Sequence, residues 1–288
     1  MGGAVGTRVA RFHTLSSGVV STILITGAAG RIGTMLRSRL AAPGRVLRLL
    51  DVTPIPAPFE PGEEAMTASV TDMAAMTAAC AGADAVIHLG GIPSEAPWDR
   101  ILDVNINGTY TVFEAARRAG VKRVVFASSN HAVGFTPPSK FPVADFAFPA
   151  PDTYYGASKA AGEALGALYV NRYGLDVVCI RILSCFVTPQ HPRMLATWLS
   201  PDDCARLFEA CLTAPSPGFQ VIYGVSANTR GGWVSQAGAR ALGYEPQDNA
   251  EDYAPELIAA YGEPEPDDVT FKYLGGDFTS PALDAPLE

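Results

Sequence analysis

The sequence predicts an α/β fold, in which a doubly wound parallel β-sheet is covered by helices on both faces. Short runs rich in valine, isoleucine and leucine alternate with longer, alanine-rich amphipathic segments from residue 19 onward. This alternation is the order that builds a parallel sheet with crossover helices. Each intervening segment is also long enough to return the chain over the sheet before the next strand begins.

The predicted strands and helices follow one another in a regular order. The strands are VVSTILIT, RVLRLLD, ADAVIHLG, KRVVFASS and LDVVCIRI, with one more near residues 219–225. The helices are RIGTMLRSRLA, DMAAMTAACA, DRILDVNINGTYTVFEAARRAG and YYGASKAAGEALGALYVNRYG, with two more near residues 201–213 and 233–242. Gly120 and Gly174 end two of these helices, as glycines in left-handed caps do.

The pattern loosens into proline-containing segments beyond residue 182, which predicts a small C-terminal substrate lobe. We predict an N-terminal extension over residues 1–19, a cofactor-binding core over 20–183 and a mixed part over 184–288. The last two are expected to pack as one continuous domain. Residues 1–19 lack the apolar stretch of a signal peptide.

Composition excludes several classes of protein. The chain has 288 residues and carries 21 Lys and Arg against 29 Asp and Glu, a net negative charge that disfavours nucleic-acid binding. No run approaches the roughly 18 apolar residues of a membrane-spanning helix. The five cysteines contain no C-x-x-C pair, which predicts reduced thiols, a cytoplasmic location and no metal site.

A glycine-rich loop lies between the first predicted strand and helix. In ILITGAAGRIGTMLRSRL, Gly27, Gly30 and Gly33 allow a tight turn and a close approach of the backbone to a pyrophosphate at the helix N-terminus. The loop predicts a Rossmann-like dinucleotide site, with further contacts at Arg31 and Ile32. Three glycines in such a turn can also be merely structural.

Asp51 ends the second predicted strand, 21 residues after Gly30. A carboxylate there can accept hydrogen bonds from the ribose diol of an adenosine and repel a 2′-phosphate. The alternative interpretation is an aspartate that caps a turn. Together with the loop, Asp51 favours NAD over NADP.

Three further residues form a candidate catalytic set. Tyr155 and Lys159 are four residues apart in YGASK and share one helical face, so the ammonium can stabilise a phenolate. Tyr155 then becomes a general base, and Ser128, at the end of VVFASS, could hydrogen-bond the reacting oxygen. Alternatively, the pair lies on a helix surface and the serine is a cap.

TGAAGRIG, VNINGT and YGASK resemble the extended short-chain dehydrogenase/reductase superfamily. HLGGI, FASSNHAVGF, YYGASKAAGE, RILSC, RMLATWLSPDD and YGVSAN are similar to the bacterial uronate dehydrogenases. The resemblance covers about residue 20 to about residue 275. It implies that Tyr155 is the catalytic base and that Lys159 also holds the nicotinamide ribose.

The resemblance also implies a set of substrate contacts. The family's contacts to the sugar acid fall on Ser129, Asn130, His131, Ser184 and Arg193. A family serine that follows G-G-I is replaced here by Pro93, which leaves Ser94, one residue later, as the candidate. An arginine suits a carboxylate because its planar guanidinium can donate two parallel hydrogen bonds.

The remaining predicted cofactor contacts come from strand ends and the following loops. Ser69 and Val70 lie where the superfamily often has an aspartate and an apolar residue near adenine, so a backbone contact is expected there. Asn105 in VNINGT resembles the superfamily asparagine that supports the active-site helix. The other predicted contacts are Leu89, Gly90, Gly91 and Ile182.

The resemblance implies an enzyme that oxidises D-glucuronate or D-galacturonate at C1 to an aldaric acid lactone, with NAD as acceptor, in a homo-oligomer. Two alternatives stay open. A nucleotide-sugar epimerase or dehydratase would share the loop and the Tyr/Lys pair, but 99 residues after Pro189 leave little chain to hold a nucleotide diphosphate. A non-catalytic NAD(P) sensor would not need Tyr155 and Lys159.

Overall fold

The structure, a computed structural model, describes residues 21–265 and 268–284. The predicted N-terminal extension, residues 1–19, lies outside the described residues. The strands are β1 (Thr22–Thr26), β2 (Val46–Asp51), β3 (Glu63–Thr67), β4 (Ala85–His88), β5 (Arg123–Ser129), β6 (Asp176–Ile182), β7 (Ser184–Cys185), β8 (Trp198–Leu199) and β9 (Phe219–Gly224).

Helices connect these strands, and six of them lie where the sequence pattern predicts a helix. They are α1 (Arg31–Arg39), α2 (Met73–Cys80), α3 (Trp98–Arg100), α4 (Gly108–Ala119), α5 (Tyr154–Tyr173), α6 (Met194–Thr197), α7 (Pro201–Thr213), α8 (Ala237–Ala241), α9 (Ala254–Tyr261) and α10 (Val269–Lys272). None of the helices within the described ranges is both long and apolar enough to cross a membrane.

In the described part of the chain, seven strands form one sheet in the order β3-β2-β1-β4-β5-β6-β9, and every neighbouring pair is parallel. This confirms the predicted Rossmann-like α/β fold. The chain order reverses between β1 and β4, so the loops that follow these two strands leave in opposite directions. A crevice opens between such loops at the carboxyl edge of the sheet.

Two apolar cores cover the two faces of the sheet. In β1, Ile23 and Ile25 belong to the core under α1 and α7, whereas Leu24 between them belongs to the core under α2 and α4. Side chains of a strand alternate between faces, and both faces are buried here, so the strand is apolar throughout. A fully buried side chain of this size contributes about 1.5–3 kcal/mol.

The part predicted to form a substrate lobe also completes the sheet. Strand β9 pairs with β6, and Leu207 of α7 shares one core with Leu49 of β2. The residues on the two sides of position 183 therefore share a core, while the division of the chain into a cofactor-binding core and a substrate lobe stays a prediction.

The structure differs from the prediction in several places, and the short elements β7, β8, α6, α9 and α10 were not predicted. Strand β3, of sequence EEAMT, was not predicted, because it is a polar edge strand with one neighbour and lacks an apolar pattern. The predicted helix of residues 99–120 is interrupted by a π-helical stretch, Ile101–Asn107, and π-turns often occur near functional sites. The helix predicted near 233–242 is only the five residues of α8. The glycine caps were predicted correctly, since φ is 74° at Gly120 and 73° at Gly174.

His88 ends β4 and lies wholly inside the protein. Its Nδ1 atom is 2.8 Å from the hydroxyl of Thr26, and its Nε2 atom is 3.2 Å from the hydroxyl of Thr109. Burial, and to a smaller extent the positive charge of Lys159, lower the pKa of His88 to about 3. The ring is therefore neutral and held inside the core at neutral pH.

The burial of a neutral His88 predicts that the free energy of unfolding falls as the pH is lowered. The pKa of His88 is about 3 in the folded chain, against an ordinary value of 6.5. Between pH 6.5 and pH 3, the unfolded chain therefore binds a proton at His88 that the folded chain does not. The contribution of His88 is complete above pH 6.5 and is lost toward pH 3, by about 1.4 kcal/mol per pH unit. Urea unfolding near neutral pH and near pH 5 should show a shallower loss for His88→Asn than for the wild type. Equal losses would contradict the expectation.

Candidate active site

The glycine-rich loop after β1 lies against the loop after β4. Gly27 has a φ of 71°, and a Cβ on it would lie 2.7 Å from the backbone nitrogen of Gly90. A Cβ on Gly33 would lie 2.6 Å from the Cα of Ala28. Helix α1 begins after Gly30, where no side chain caps the backbone N–H groups. These free donors and the absent side chains fit a pyrophosphate.

Asp51 lies beside this loop at the end of β2. One carboxylate oxygen accepts a hydrogen bond of 3.0 Å from the backbone nitrogen of Ala29, and the other accepts one of 3.0 Å from that of Thr53. Each oxygen keeps a lone pair, because a carboxylate accepts about four hydrogen bonds. The carboxylate is thus fixed next to the glycine-rich loop with acceptor capacity for a ribose diol.

Replacing Asp51 with alanine should therefore reduce the preference for NAD over NADP. The change removes the acceptor for the diol and the negative charge that would repel a 2′-phosphate. The ratio of kcat/KM with the two cofactors measures the effect, and Asp72→Ala, which removes a carboxylate that caps α2, is the matched control. An unchanged ratio in Asp51→Ala would mean that Asp51 only caps the turn.

The other predicted cofactor residues surround the same crevice. Ser69 hydrogen-bonds the hydroxyl of Thr71, and the side chain of Val70 is buried at Gly90, so the backbone of this segment is what remains for a ligand. Arg31 stacks on the ring of Phe186 at 4.1 Å. Ile182 belongs to the core under α1 and α7, Ile32 and Leu89 pack against that core, and Gly91 lies beside Asn105. Their contact with a cofactor stays a prediction.

Tyr155 and Lys159 occupy the first two turns of α5 on one buried face, where the sequence places them. The Nζ atom of Lys159 lies 5.5 Å from the centre of the Tyr155 ring and donates a hydrogen bond of 2.8 Å to the carbonyl of Ala127. Burial raises the pKa of Tyr155 to about 12, against a lowering hydrogen bond with Ser129, and lowers the pKa of Lys159 to about 8. The ammonium is the cation closest to the phenol among the described contacts.

Ser128 lies beside a buried carboxylate. Its hydroxyl donates a hydrogen bond of 2.6 Å to the buried carboxylate of Glu163, because alternate residues of β5 face opposite sides of the sheet. Ser129, the next residue, is the serine that lowers the pKa of Tyr155, and its hydroxyl accepts a hydrogen bond of 3.2 Å from the backbone nitrogen of His131. The hydroxyl of Ser128 is engaged by Glu163, and a role of Ser128 in orienting the reacting oxygen stays a prediction.

The partner of Ser128 belongs to a buried ion pair that sequence reasoning missed. Both carboxylate oxygens of Glu163 accept hydrogen bonds of 2.8 Å from Arg181 of β6. Arg181 also donates to the hydroxyl of Tyr223 at 3.1 Å. The ion pair connects α5, one turn beyond Lys159, to the carboxyl end of β6. The charged residue within the apolar strand DVVCIRI was the available signal.

Two side chains fix the start of α5. Glu95, which was not predicted, accepts hydrogen bonds from the backbone nitrogens of Tyr154 at 3.2 Å and Tyr155 at 2.9 Å. Asn105 accepts from the backbone nitrogen of Ile92 at 2.7 Å and donates to the hydroxyl of Ser158 at 3.1 Å. Asn105 thus joins the loop after β4 to α5, the helix that carries Tyr155 and Lys159.

His131 and Asn130 follow β5 and meet the C-terminal segment. The ring of His131 stacks on Phe278 with centres 4.0 Å apart and lies edge-on to Tyr155 at 5.7 Å. Asn130 donates a hydrogen bond of 3.0 Å to the carbonyl of Leu274. The C-terminal segment therefore forms one wall of the site, a role of Phe278 that no sequence pattern indicated.

Arg193 reaches the same wall from the start of α6. Its guanidinium donates to the carbonyls of Thr270, at 3.0 Å, and Leu274, and lies 5.3 Å from the centre of the Trp233 ring. No carboxylate lies within ion-pair distance of it in residues 21–265 and 268–284. Burial lowers the pKa of Arg193 to about 10, against the charges of Asp277 and Asp152, which raise it. A partly buried guanidinium whose hydrogen bonds go to neutral oxygens can bind an anion.

The last two predicted substrate residues behave differently. Ser184 in β7 lies 2.9 Å, hydroxyl to hydroxyl, from Thr197, which also hydrogen-bonds Arg193. Ser94 is exposed on the loop after β4, next to Glu95. Ser184 is therefore linked to Arg193 through Thr197, whereas Ser94 lies at the surface before Glu95, which binds the start of α5. No group of three or more potential metal ligands occurs in the described ranges.

Comparison with known proteins places this architecture in a family. Residues 23–200 match the model of the NAD-dependent epimerase/dehydratase family. A uronate dehydrogenase from Pseudomonas putida is 43% identical over 256 residues, covering 89% of this chain and 94% of the relative. An NAD-dependent glucose-6-phosphate dehydrogenase from Haloferax volcanii is 39% identical over 263 residues, covering 84% and 97%.

A solved structure agrees with these sequence relatives. A mutant of the uronate dehydrogenase from Agrobacterium tumefaciens, complexed with NAD, matches this chain with a TM-score of 0.86 and 39% identity. The match covers 93% of this chain and 98% of that chain. The chain belongs to the NAD-dependent epimerase/dehydratase family and, within it, to the uronate dehydrogenases.

Proposed function

We propose that the protein oxidises a hexuronic acid, D-glucuronate or D-galacturonate, at C1 with NAD as acceptor. The observation that carries the proposal is Arg193, whose guanidinium lies in the wall of the site without a carboxylate partner among the described residues. A C6 carboxylate is a ligand of matching charge and shape. Ser184 supports the same end of the sugar through Thr197.

The catalytic groups act at the other end of the substrate. Tyr155 removes the proton of the C1 hydroxyl, while Ser129 holds that oxygen and the charge of Lys159 stabilises the phenolate. The glycine-rich loop and Asp51 would hold NAD, which would supply the acceptor for the hydride of C1. The product is a lactone because C1 of a cyclic uronic acid is already bonded to the ring oxygen. Asn130 and His131 contact the remaining hydroxyl groups.

A single cation distinguishes this substrate from related sugars. A sugar phosphate carries about two negative charges, whereas Arg193 offers one positive charge where it hydrogen-bonds the wall. We therefore expect a uronic acid to be preferred over a hexose 6-phosphate. A nucleotide-sugar epimerase would need further chain to hold the nucleotide, and a sensor would not need the base.

NADH absorbance tests the proposal directly. The purified protein is given D-glucuronate, D-galacturonate, the matching neutral hexoses, glucose 6-phosphate and a nucleotide sugar, each with NAD and with NADP. We expect turnover with the uronic acids and NAD. Faster turnover of glucose 6-phosphate, or conversion of the nucleotide sugar alone, would overturn the assignment.

We also propose that the enzyme is a cytoplasmic homo-oligomer. The location is supported by the five cysteines, all of which are free and buried, as in a reducing compartment. The assembly is supported by exposed apolar side chains on α4 and α5, among them Tyr110 and Leu168. Light scattering after gel filtration measures the number of subunits, and a monomer at micromolar concentration would contradict the second proposal.

A further inference from the structure

Asp152 precedes the catalytic helix and has a wholly buried side chain. One carboxylate oxygen lies 2.7 Å from Nδ1 of His131, and the other accepts a hydrogen bond of 3.0 Å from the hydroxyl of Thr153. A buried carboxylate is costly unless it is paired and hydrogen-bonded. The contact with His131 is therefore a built interaction between two side chains from separate segments.

Three glycines make room for this carboxylate. A Cβ on Gly134 or on Gly275 would overlap the Asp152 carboxylate, and a Cβ on Gly156 would lie 3.0 Å from one of its oxygens. The backbone nitrogen of Gly275 donates to the carbonyl of Gly134 at 2.8 Å and closes the enclosure. Segments after β5, in α5 and near the C-terminus thus converge on one side chain, which only glycine allows at that distance.

The pairing determines which nitrogen of His131 carries the proton. A carboxylate only accepts hydrogen bonds, so Nδ1 must donate, and in the neutral ring Nε2 is left as an acceptor. The ring is held by its stack on Phe278 and by the edge of Tyr155. No group in residues 21–265 or 268–284 hydrogen-bonds Nε2.

We propose that Asp152 is a positioning residue that holds the proton of His131 on Nδ1, so that Nε2 accepts a hydrogen bond from a ring hydroxyl of the sugar acid. The inference rests on the proposed function and states which atom of one contact is the acceptor. His131 then binds a hydroxyl group of the substrate, whereas Arg193 binds its carboxylate. The charged or titratable groups that face the pair are Tyr155 from α5 and Arg193 from α6, and the charge of Asp152 raises the pKa of both.

Nitrogen NMR of the free wild-type protein tests the tautomer without any substrate. The chain has four histidines, and a His131→Gln variant identifies the resonances of His131 in isotope-labelled protein. Above neutral pH we expect a protonated Nδ1 and an unprotonated Nε2, and a shift of the proton between the two nitrogens in Asp152→Asn. A protonated Nε2 in the wild type would overturn the proposal.

Kinetics with uronic acids that each lack one ring hydroxyl test the contact. In the wild type, one of these analogues should lose about 5- to 150-fold in kcat/KM, because Nε2 is then left without a donor. Asp152→Asn should lower kcat/KM for the parent acid by a similar factor and reduce the penalty for that same analogue. Asp152→Asn should also shift to lower pH the rise in activity that accompanies deprotonation of Tyr155, because the substitution removes a negative charge that faces the phenol.

The control is Asp99→Asn, which makes the same change in charge at an exposed carboxylate of α3. It should leave the penalties and the pH profile unchanged. Equal losses of Asp152→Asn on the parent acid and on every analogue would assign Asp152 a structural role and overturn the proposal. A wild-type protein that oxidises no uronic acid would overturn the proposed function, while the NMR result still decides the tautomer.

Discussion

Replacing Tyr155 with phenylalanine should lower kcat by about 10²- to 10⁴-fold, the usual contribution of general acid–base catalysis. The change removes one oxygen from a buried side chain and leaves the ring that packs against His131 and Phe278. Turnover at saturating NAD and uronate measures the loss. NAD binding, followed by fluorescence titration, should remain.

Tyr154→Phe is the matched control for this prediction. Tyr154 precedes the catalytic residue on α5 but is half exposed, so loss of its hydroxyl should leave turnover within a factor of about two of the wild type. A Tyr155→Phe enzyme that keeps more than half of the wild-type turnover would show that another group removes the proton.

Replacing Arg193 with alanine should lower kcat/KM for a uronate by roughly 10- to 150-fold. A hydrogen bond to a charged group contributes about 1.5–3 kcal/mol, and about 1.4 kcal/mol corresponds to a factor of ten. A neutral hexose has no carboxylate at C6, so kcat/KM for it should change little. The ratio of the two values is the measurement, and selectivity for the acid should be lost.

The structure adds a control that the sequence did not suggest. Arg193 also holds the carbonyls of Thr270 and Leu274, so its removal could loosen the C-terminal wall. Such loosening would lower kcat/KM for acid and neutral sugar alike, and Phe278→Ala, which removes the packing of that wall on His131, shows what an unselective loss looks like. Equal losses on both sugars in Arg193→Ala would reduce its role to support of the wall.

The sequence by itself determined six of the seven strands of the sheet, the glycine-rich loop and the spacing of Tyr155 and Lys159. Apolar runs and helical periodicity are local properties, and residues four apart on one helix are neighbours in any fold that contains the helix. The turn at Gly27 is equally local, because its φ and the start of α1 depend on adjacent residues. The edge strand β3 escaped prediction because a strand with one neighbour needs no apolar pattern.

Only the tertiary structure decided what surrounds the two serines that end β5. Ser128 and Ser129 are indistinguishable as letters, and the register of β5 against α5 directs Ser128 to Glu163 and places Ser129 where it lowers the pKa of Tyr155. Asp152 and Phe278 became part of the site because segments far apart in the chain meet there. Such contacts depend on packing between segments that are far apart in the chain, and this packing leaves no periodic pattern in the sequence.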